Sequence, residues 1–332
     1  MKHRITVMPS GQAFTAGQDE TLLDAALRQG VSLPYGCRDG VCGTCRGRLV
    51  AGRVEYDQPP PALGATEQAA GVVLVCRARA CSDLILESRI AATPDYPVKT
   101  LPARVEKMER LAPDVMLLQL KLPANEHLQF LAGQYIDILL KDGRRRSFSL
   151  ANAPHDDALL QLHVRQVAGG EFTGKVFSDM KVRDILRING PHGAFHLRAD
   201  SAKPIILLAG GTGFAPIKAI IEHALHEKER RSMQLYWGAC GLADLYLAEL
   251  PQQWTVAGKL SYVPVLSDPA AERWQGRRGW VHEAVLADHP DLSGFQVYAA
   301  GPPAMIEAAR REFVAAGLPE DAYFADAFSY AV

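Results

Sequence analysis

Cys37, Cys42 and Cys45 sit in one short run, Pro34-Tyr-Gly-Cys-Arg-Asp-Gly-Val-Cys-Gly-Thr-Cys45, and Cys76 follows well downstream. The pattern is C-x4-C-x2-C…C, a spacing with which four thiolates enclose a [2Fe–2S] cluster. Gly36, Gly40 and Gly43 interleave the sulfurs. A loop wrapped around inorganic sulfide must bring its backbone close, with N–H groups turned inward, and glycine permits both the approach and positive φ. Zinc would favour two C-x2-C pairs or a Cys/His mixture. A disulfide framework would suit a small secreted domain. The opening Met1-Lys-His-Arg-Ile-Thr-Val7 has no apolar signal core and reads as a strand. Cys81 and Cys240 stand outside the pattern and are expected to be small buried thiols.

The chain of 332 residues is long enough for two or three domains. A net charge of -1 gives no electrostatic case for nucleic acid or a membrane surface, and 48% hydrophobic residues suit packed cores. The apolar run Pro204-Ile-Ile-Leu-Leu-Ala209 is strand-sized, far short of a membrane helix. The expected location is the cytoplasm, whose reducing conditions an exposed cluster tolerates.

Three units are expected. Residues 1–90 show a hairpin pattern (Ile5–Val7, Ala13–Thr15) and a capping box at Thr21-Leu-Leu-Asp24. A helix then runs to Gln29 and stops at Gly30. The cysteine loop follows, with strands near Arg48–Val50, Val72–Cys76 (carrying the last ligand) and Asp83–Glu87, which makes a small α+β domain. Residues 91–100, with two prolines, read as a linker. Residues 101–199 are strand-rich, at Ala103–Lys107, Val115–Leu120, Tyr135–Leu139, Arg146–Leu150 and Leu160–Arg165, with one helix at Phe172–Met180; this spacing suits a closed antiparallel barrel. Residues 200–332 alternate strand and helix, as in a doubly wound α/β sheet.

Gly210-Gly-Thr-Gly213-Phe-Ala-Pro216 joins the first strand of that sheet to its helix. Such a turn lets a phosphate approach the backbone at a helix N-terminus, and a tight packing corner is the alternative. The loop containing Gly301 and Pro302 opens at the same carboxyl edge. In the barrel, Arg146, Ser147, Phe148 and Ser149 put a cation, a ring and a hydroxyl at alternating strand positions, suited to a phosphate and a planar heterocycle; an ordinary basic strand end would look similar. Arg165 and the turn Gly169-Gly-Glu-Phe-Thr173 offer a second phosphate contact.

Together these units resemble the ferredoxin reductases in which a plant-type ferredoxin domain of β-grasp fold is fused to an FAD barrel and an NAD(P)H domain. The resemblance covers essentially the whole chain. It implies an NAD(P)H-dependent oxidoreductase passing electrons from NADH to FAD, to a cluster on Cys37, Cys42, Cys45 and Cys76, and on to a partner protein. The flavin motif Arg-x-Tyr/Phe-Ser matches Arg146–Ser149, implying Arg146 on the FAD pyrophosphate, Phe148 packed on the flavin and Ser149 near N5. The second flavin stretch matches His163, Val164 and Arg165 with Gly170, Phe172 and Thr173. The pyridine-nucleotide turn matches Gly210, Gly211, Thr212, Gly213 and Pro216, and the C-terminal aromatic near the flavin matches Phe328. The catalytic residues implied are Ser149 and Phe328.

Two positions depart from the family pattern. Ala300 stands where Cys usually precedes the glycine, which removes a polarisable contact beside the hydride path. Cys240 stands where many NADH-type members carry Arg; no Lys or Arg lies between Gly238 and Pro251, while Asp244 and Glu249 would repel a 2′-phosphate. NADH is therefore expected over NADPH. Tyr236-Trp-Gly238, Tyr262–Ser267, Gly279-Trp-Val-His282 and Phe324–Phe328 look most like the CDP-6-deoxy-3,4-glucoseen reductases of deoxysugar synthesis, so the expected partner is a deoxysugar dehydrase. The alternative is the reductase component of an aromatic-ring Rieske or di-iron oxygenase. Arg38 and Asp39 lie where such a partner could meet the cluster rim, or simply in a solvated loop. A monomer or weak oligomer is expected. Of another class is a non-catalytic redox-sensing module, favoured by Ala300 alone. A reductase that has lost its cluster is opposed by the presence of all four cysteines.

Overall fold

The computed structural model describes residues 2–90, 96–258, 260–268 and 274–328. They fall into two compact units, one built on residues 2–90 with 325–328 of the C-terminal end, the other on 96–324. The expected linker lies outside the described residues as far as Asp95, and by Lys99 the chain is already in a strand.

The first unit contains β1 (Lys2–Met8), β2 (Ala13–Gly17), α1 (Leu22–Arg28), β3 (Arg46–Ala51), β4 (Val54–Glu55), α2 (Ala65–Ala69), β5 (Val72–Leu74), β6 (Arg79–Ala80) and β7 (Leu84–Glu87). Its main sheet has the order β2-β1-β7-β3-β5, with β1 and β7 parallel at the centre. Leu22, Leu23, Ala25 and Ala26 of α1 bury one face of that helix in a core with Ile5, Val7, Phe14 and Leu86. Thr21 caps the helix, accepting the Asp24 N–H at 3.1 Å, and Gly30 follows at φ 73°. The reciprocal half of the expected box is different: the Thr21 hydroxyl donates to the Asp24 carboxylate (2.8 Å). A second difference concerns Cys76. Strand β5 stops at Leu74 and the Arg77 N–H turns back to the Leu74 carbonyl (3.0 Å), so Cys76 sits in a turn beyond the strand.

In the second unit come β8 (Lys99–Ala112), β9 (Val115–Lys121), β10 (Tyr135–Leu139), β11 (Arg145–Ser149), β12 (Leu160–Arg165), α3 (Glu171–Ser178) and β13 (Ile185–His192). They form an antiparallel sheet of order β11-β10-β13-β8-β9-β12. A bridge between Leu150 and Leu162 joins its two edges and closes the barrel. The pattern along the sequence left out β13, whose Asn189-Gly-Pro-His192 end does not read as a strand.

The remaining elements are β14 (Ile205–Gly210), α4 (Phe214–His226), β15 (Met233–Ala239), α5 (Glu249–Val256), β16 (Ser261–Leu266), β17 (Arg277–Arg278), α6 (Val281–Asp288), β18 (Gln296–Gly301), α7 (Pro303–Ala315) and β19 (Tyr323–Ala327). Their sheet order is β17-β16-β15-β14-β18-β19, with β14 paired in parallel on both sides. Every residue of β14 is buried, which is why it reads as a continuous apolar run rather than an alternating one. Ala132 and Phe195 of the barrel share one core with Ile205, Leu207, Phe214 and Trp237. The barrel and the α/β sheet are thus a single compact unit, although composition along the chain marks a boundary near residue 200.

Replacing Thr21 with Ala removes the α1 cap and is expected to destabilise the first unit by about 1 kcal/mol. Denaturant titration followed at the visible absorbance of the cluster checks this, and an unchanged midpoint would contradict it.

Candidate cofactor sites

Four thiols meet in the first unit, with Cys42, Cys45 and Cys76 buried and none in a disulfide. They are arranged as two pairs: Cys37 with Cys42 through a thiol hydrogen bond, and Cys45 with Cys76 at 3.1 Å between sulfurs. Among the described residues no three His, Cys, Asp or Glu side chains surround one ion. Two pairs are what a two-iron cluster requires, each iron taking two thiolates. The backbone turns donors onto the sulfurs: the Asp39 N–H reaches Cys37 Sγ at 3.4 Å, and Thr44 bonds Cys42 through its hydroxyl and its main chain. These donors favour thiolate. The bond from Cys37, followed by the Thr44 hydroxyl, pulls the Cys42 thiol down against the opposing effect of burial. Hydrogen bonding to its partner, then burial, pushes Cys37 and Cys45 up. Gly40 adopts φ 76°, and a Cβ there would meet Pro60 at 2.8 Å, so the loop tolerates no side chain at that point. Arg38 is drawn back onto α1 by an ion pair with Asp24.

On the barrel, alternation along β11 puts Arg146 and Phe148 on one face and Ser147 and Ser149 on the other, so the hydroxyl of Ser149 does not continue the face of the cation and the ring. Ser147 donates to the buried Asp137 carboxylate at 2.6 Å. The Phe148 ring leans on Phe172 at 5.3 Å, and Arg144 pairs with Glu171, so the start of α3 is fastened beside β11. A Cβ at Gly170 would lie 2.5 Å from Thr173 Oγ1, which receives the Val167 N–H at 3.2 Å. A guanidinium, an aromatic ring and a helix N-terminus thus border one place, a donor set that fits the diphosphate and ring of FAD.

On β12, Val164 points into the barrel core, leaving only its backbone for a ligand. His163 and Arg165 turn the other way, towards the α/β sheet. The His163 ring bonds the Tyr246 hydroxyl at 3.0 Å, and Arg165 pairs with Asp114 (2.9 Å) and Asp244 (3.1 Å).

The turn after β14 is a single 3-10 turn, Gly211–Gly213, running into α4, with Pro216 buried in the first turn of that helix. A Cβ at Gly213 would stand 2.0 Å from the Ala300 carbonyl oxygen, and one at Gly210 would stand 2.5 Å from Met305 Sδ and 2.9 Å from Pro302. The loop at Gly301 and Pro302 therefore packs directly against the glycine turn. Gly211 adopts φ 53°, and the space beside it leads to Arg165 Nη2, which is buried without a hydrogen-bond partner. An open backbone turn with a guanidinium nitrogen beside it fits a pyrophosphate.

The expectations for Cys81, Cys240 and Asp244 need correction. Cys240 is exposed, because it lies just past the end of β15 at the open edge of the sheet; Cys81 is half-buried beyond β6. Asp244 is held in its ion pair with Arg165, so its charge is already compensated. The window from Gly238 to Pro251 also missed Arg277 and Arg278, which β17 places beside the end of β16 at Val265 and Leu266. Arg277 is paired with Asp288, and Arg278 donates to the Trp274 carbonyl at 3.1 Å. Only the parallel pairing reveals them. Phe328 is half-buried and groups with the first unit.

The cysteine loop, the barrel and the glycine turn together define a one-chain flavin and iron–sulfur reductase. The chain belongs to the family of NAD(P)H-dependent oxidoreductases that join a 2Fe-2S iron-sulfur cluster binding domain (residues 5–81), an oxidoreductase FAD-binding domain (102–197) and an oxidoreductase NAD-binding domain (207–311). It is 40% identical over 330 residues, 99% of each chain, to a CDP-6-deoxy-L-threo-D-glycero-4-hexulose-3-dehydrase reductase of Yersinia pestis. It is 36% identical to reductase component 2 of a terephthalate 1,2-dioxygenase from Comamonas, over 99% of this chain and 98% of that one. Among solved structures, an Amycolatopsis cytochrome P450 reductase is 34% identical with a TM-score of 0.78, covering 99% of this chain and 100% of that one. Among the described residues no helix is long and apolar enough to cross a membrane.

Burial, helped by the charge of Lys218, lowers the His163 imidazole from its ordinary 6.5 to about 3, and burial with Arg198 lowers His196 to about 4. Unfolded, both take up a proton near pH 6.5 that the native state refuses. Stability is therefore full above that pH and falls as pH drops towards 4, by up to about 1.4 kcal/mol per pH unit for each histidine. Replacing His163 with Gln is expected to flatten this acid limb in thermal midpoints measured from pH 7 to 4. An unchanged slope would show that His163 titrates normally.

Proposed function

We propose that this protein draws electron pairs from NADH and delivers single electrons to a deoxysugar dehydrase. The observation that carries the choice of partner is the 40% identity to the Yersinia pestis dehydrase reductase, sustained over 99% of both chains. In this reading Cys37 and Cys42 hold one iron of the cluster, and Cys45 and Cys76 the other. Arg146 pairs with the FAD diphosphate, Phe148 packs beside the flavin and the turn at Gly170 to Thr173 supplies main-chain donors, while Ser149, on the opposite face of β11, is assigned to the flavin's reactive edge by the family resemblance alone. Gly210 to Gly213, with Gly301 and Pro302, receives the nicotinamide nucleotide. The assignment of Phe328 to the nicotinamide path rests on the family resemblance alone. FAD supplies the conversion of a two-electron donor into one-electron steps.

The functional division is 1–90 for the cluster, 101–199 for FAD and 200–332 for the nucleotide. NADH is favoured because Arg277 and Arg278 are engaged with Asp288 and Trp274 and no Lys or Arg lies between Gly238 and Pro251. We place the protein in the cytoplasm, as a monomer or weak oligomer. The second reading, an aromatic oxygenase reductase, is favoured by the near full-length similarity to the terephthalate dioxygenase component.

Purified holoprotein mixed with a CDP-6-deoxyhexulose dehydrase or with a ring-hydroxylating oxygenase separates the two, since only the true partner should turn over at nanomolar to micromolar reductase. With NADH and NADPH compared directly, kcat/KM is expected to favour NADH at least tenfold; equal values would overturn the preference. For Cys76→Ser, reduction of the bound flavin by NADH should persist while cytochrome c reduction falls by more than about a hundredfold. Full cytochrome c activity in that variant would show that the cluster is dispensable.

A further inference from the structure

Beneath the glycine turn lies Trp237, fully buried on β15. Its indole N–H donates to the Gly211 carbonyl at 3.0 Å. The ring stacks on Phe214, the residue that follows the turn, with centroids 3.9 Å apart and planes 11° apart. Tyr246 meets its edge at 5.3 Å, and the Tyr246 hydroxyl bonds His163 on the barrel. The indole is therefore held on two sides before it reaches the turn.

The Gly211 carbonyl also accepts the Phe214 N–H within the 3-10 turn, so the indole adds a second hold on a three-glycine turn whose remaining alternatives are lost when a ligand binds. The peptide joining Gly211 to Thr212 is planar and trans, so its C=O and N–H point in opposite directions. A carbonyl drawn inward by the indole turns the Thr212 N–H away from it. At the first turn of a helix that N–H has no main-chain acceptor of its own. We infer that Trp237 is a positioning residue for the pyridine nucleotide, holding the Gly211–Thr212 peptide so that the Thr212 N–H faces the incoming phosphate. The inference rests on the reading of Gly210 to Gly213 as the nucleotide turn. Stacking on Phe214 asks only for a ring; the hydrogen bond requires the indole nitrogen.

Two variants remove the bond and keep the ring: Trp237→Phe, and Trp237 replaced by 3-benzothienylalanine, in which sulfur stands for the N–H. Either is expected to raise the KM for NADH three- to tenfold, the worth of one ordinary hydrogen bond. kcat at saturating NADH should stay within about twofold, with flavin and cluster absorbance retained. A merely structural residue would instead lower the thermal midpoint and the flavin content without splitting KM from kcat, and that result overturns the inference. So does an unchanged KM in the benzothienyl protein. Gly211→Asp separates this from the underlying reading, because aspartate tolerates positive φ but puts a charge where the phosphate would lie. If Gly211→Asp leaves the KM for NADH unchanged, the turn is not the nucleotide site. If it raises the KM while both Trp237 variants do not, only the positioning role fails.

Discussion

The contact on which the second unit depends is one of backbone against backbone. Gly213 passes so close to the Ala300 carbonyl that a single methyl group would stand 2.0 Å from that oxygen. Gly210 is nearly as confined, its Cβ position lying 2.5 Å from Met305 Sδ and 2.9 Å from Pro302. This approach brings the ends of β14 and β18 together at the carboxyl edge of the parallel sheet, where open α/β sheets bind their ligands. With the two loops touching, α4 and α7 both begin beside the same point, and a phosphate placed there would meet main chain with the Arg165 guanidinium beside it.

The barrel is joined to that edge by polar contacts, not only by shared core. His163 and Arg165, on the outward face of β12, reach Tyr246 and Asp244. Tyr246 in turn stands against Trp237. A strand of the flavin barrel is thus one side chain away from the aromatic support of the glycine turn. Burial keeps His163 neutral, so the link is a hydrogen bond insensitive to pH across the physiological range, whereas Arg165 contributes an ion pair.

In the first unit the same principle applies to sulfur. Buried thiols without partners are costly, and here each is engaged by another thiol, a backbone N–H or the Thr44 hydroxyl. The loop holds donors in place before any cluster is considered, and Gly40 supplies the positive φ that brings the chain round.

The sequence by itself determined the local features: the cysteine spacing, the cap at Thr21, the apolar run of β14, the glycine turn and the strands β10 and β12, whose limits coincide with the structure. These depend on neighbours a few residues apart, through hydrophobic period and allowed φ. The tertiary structure decided what depends on residues far apart in the chain. It paired Cys45 with Cys76 and placed Val164 inside the barrel. It also compensated Asp244 with Arg165 and brought Arg277 and Arg278 beside β16. Charge compensation and side-chain direction arise from which strands become neighbours, and parallel pairing between distant segments leaves no periodic trace in any one of them.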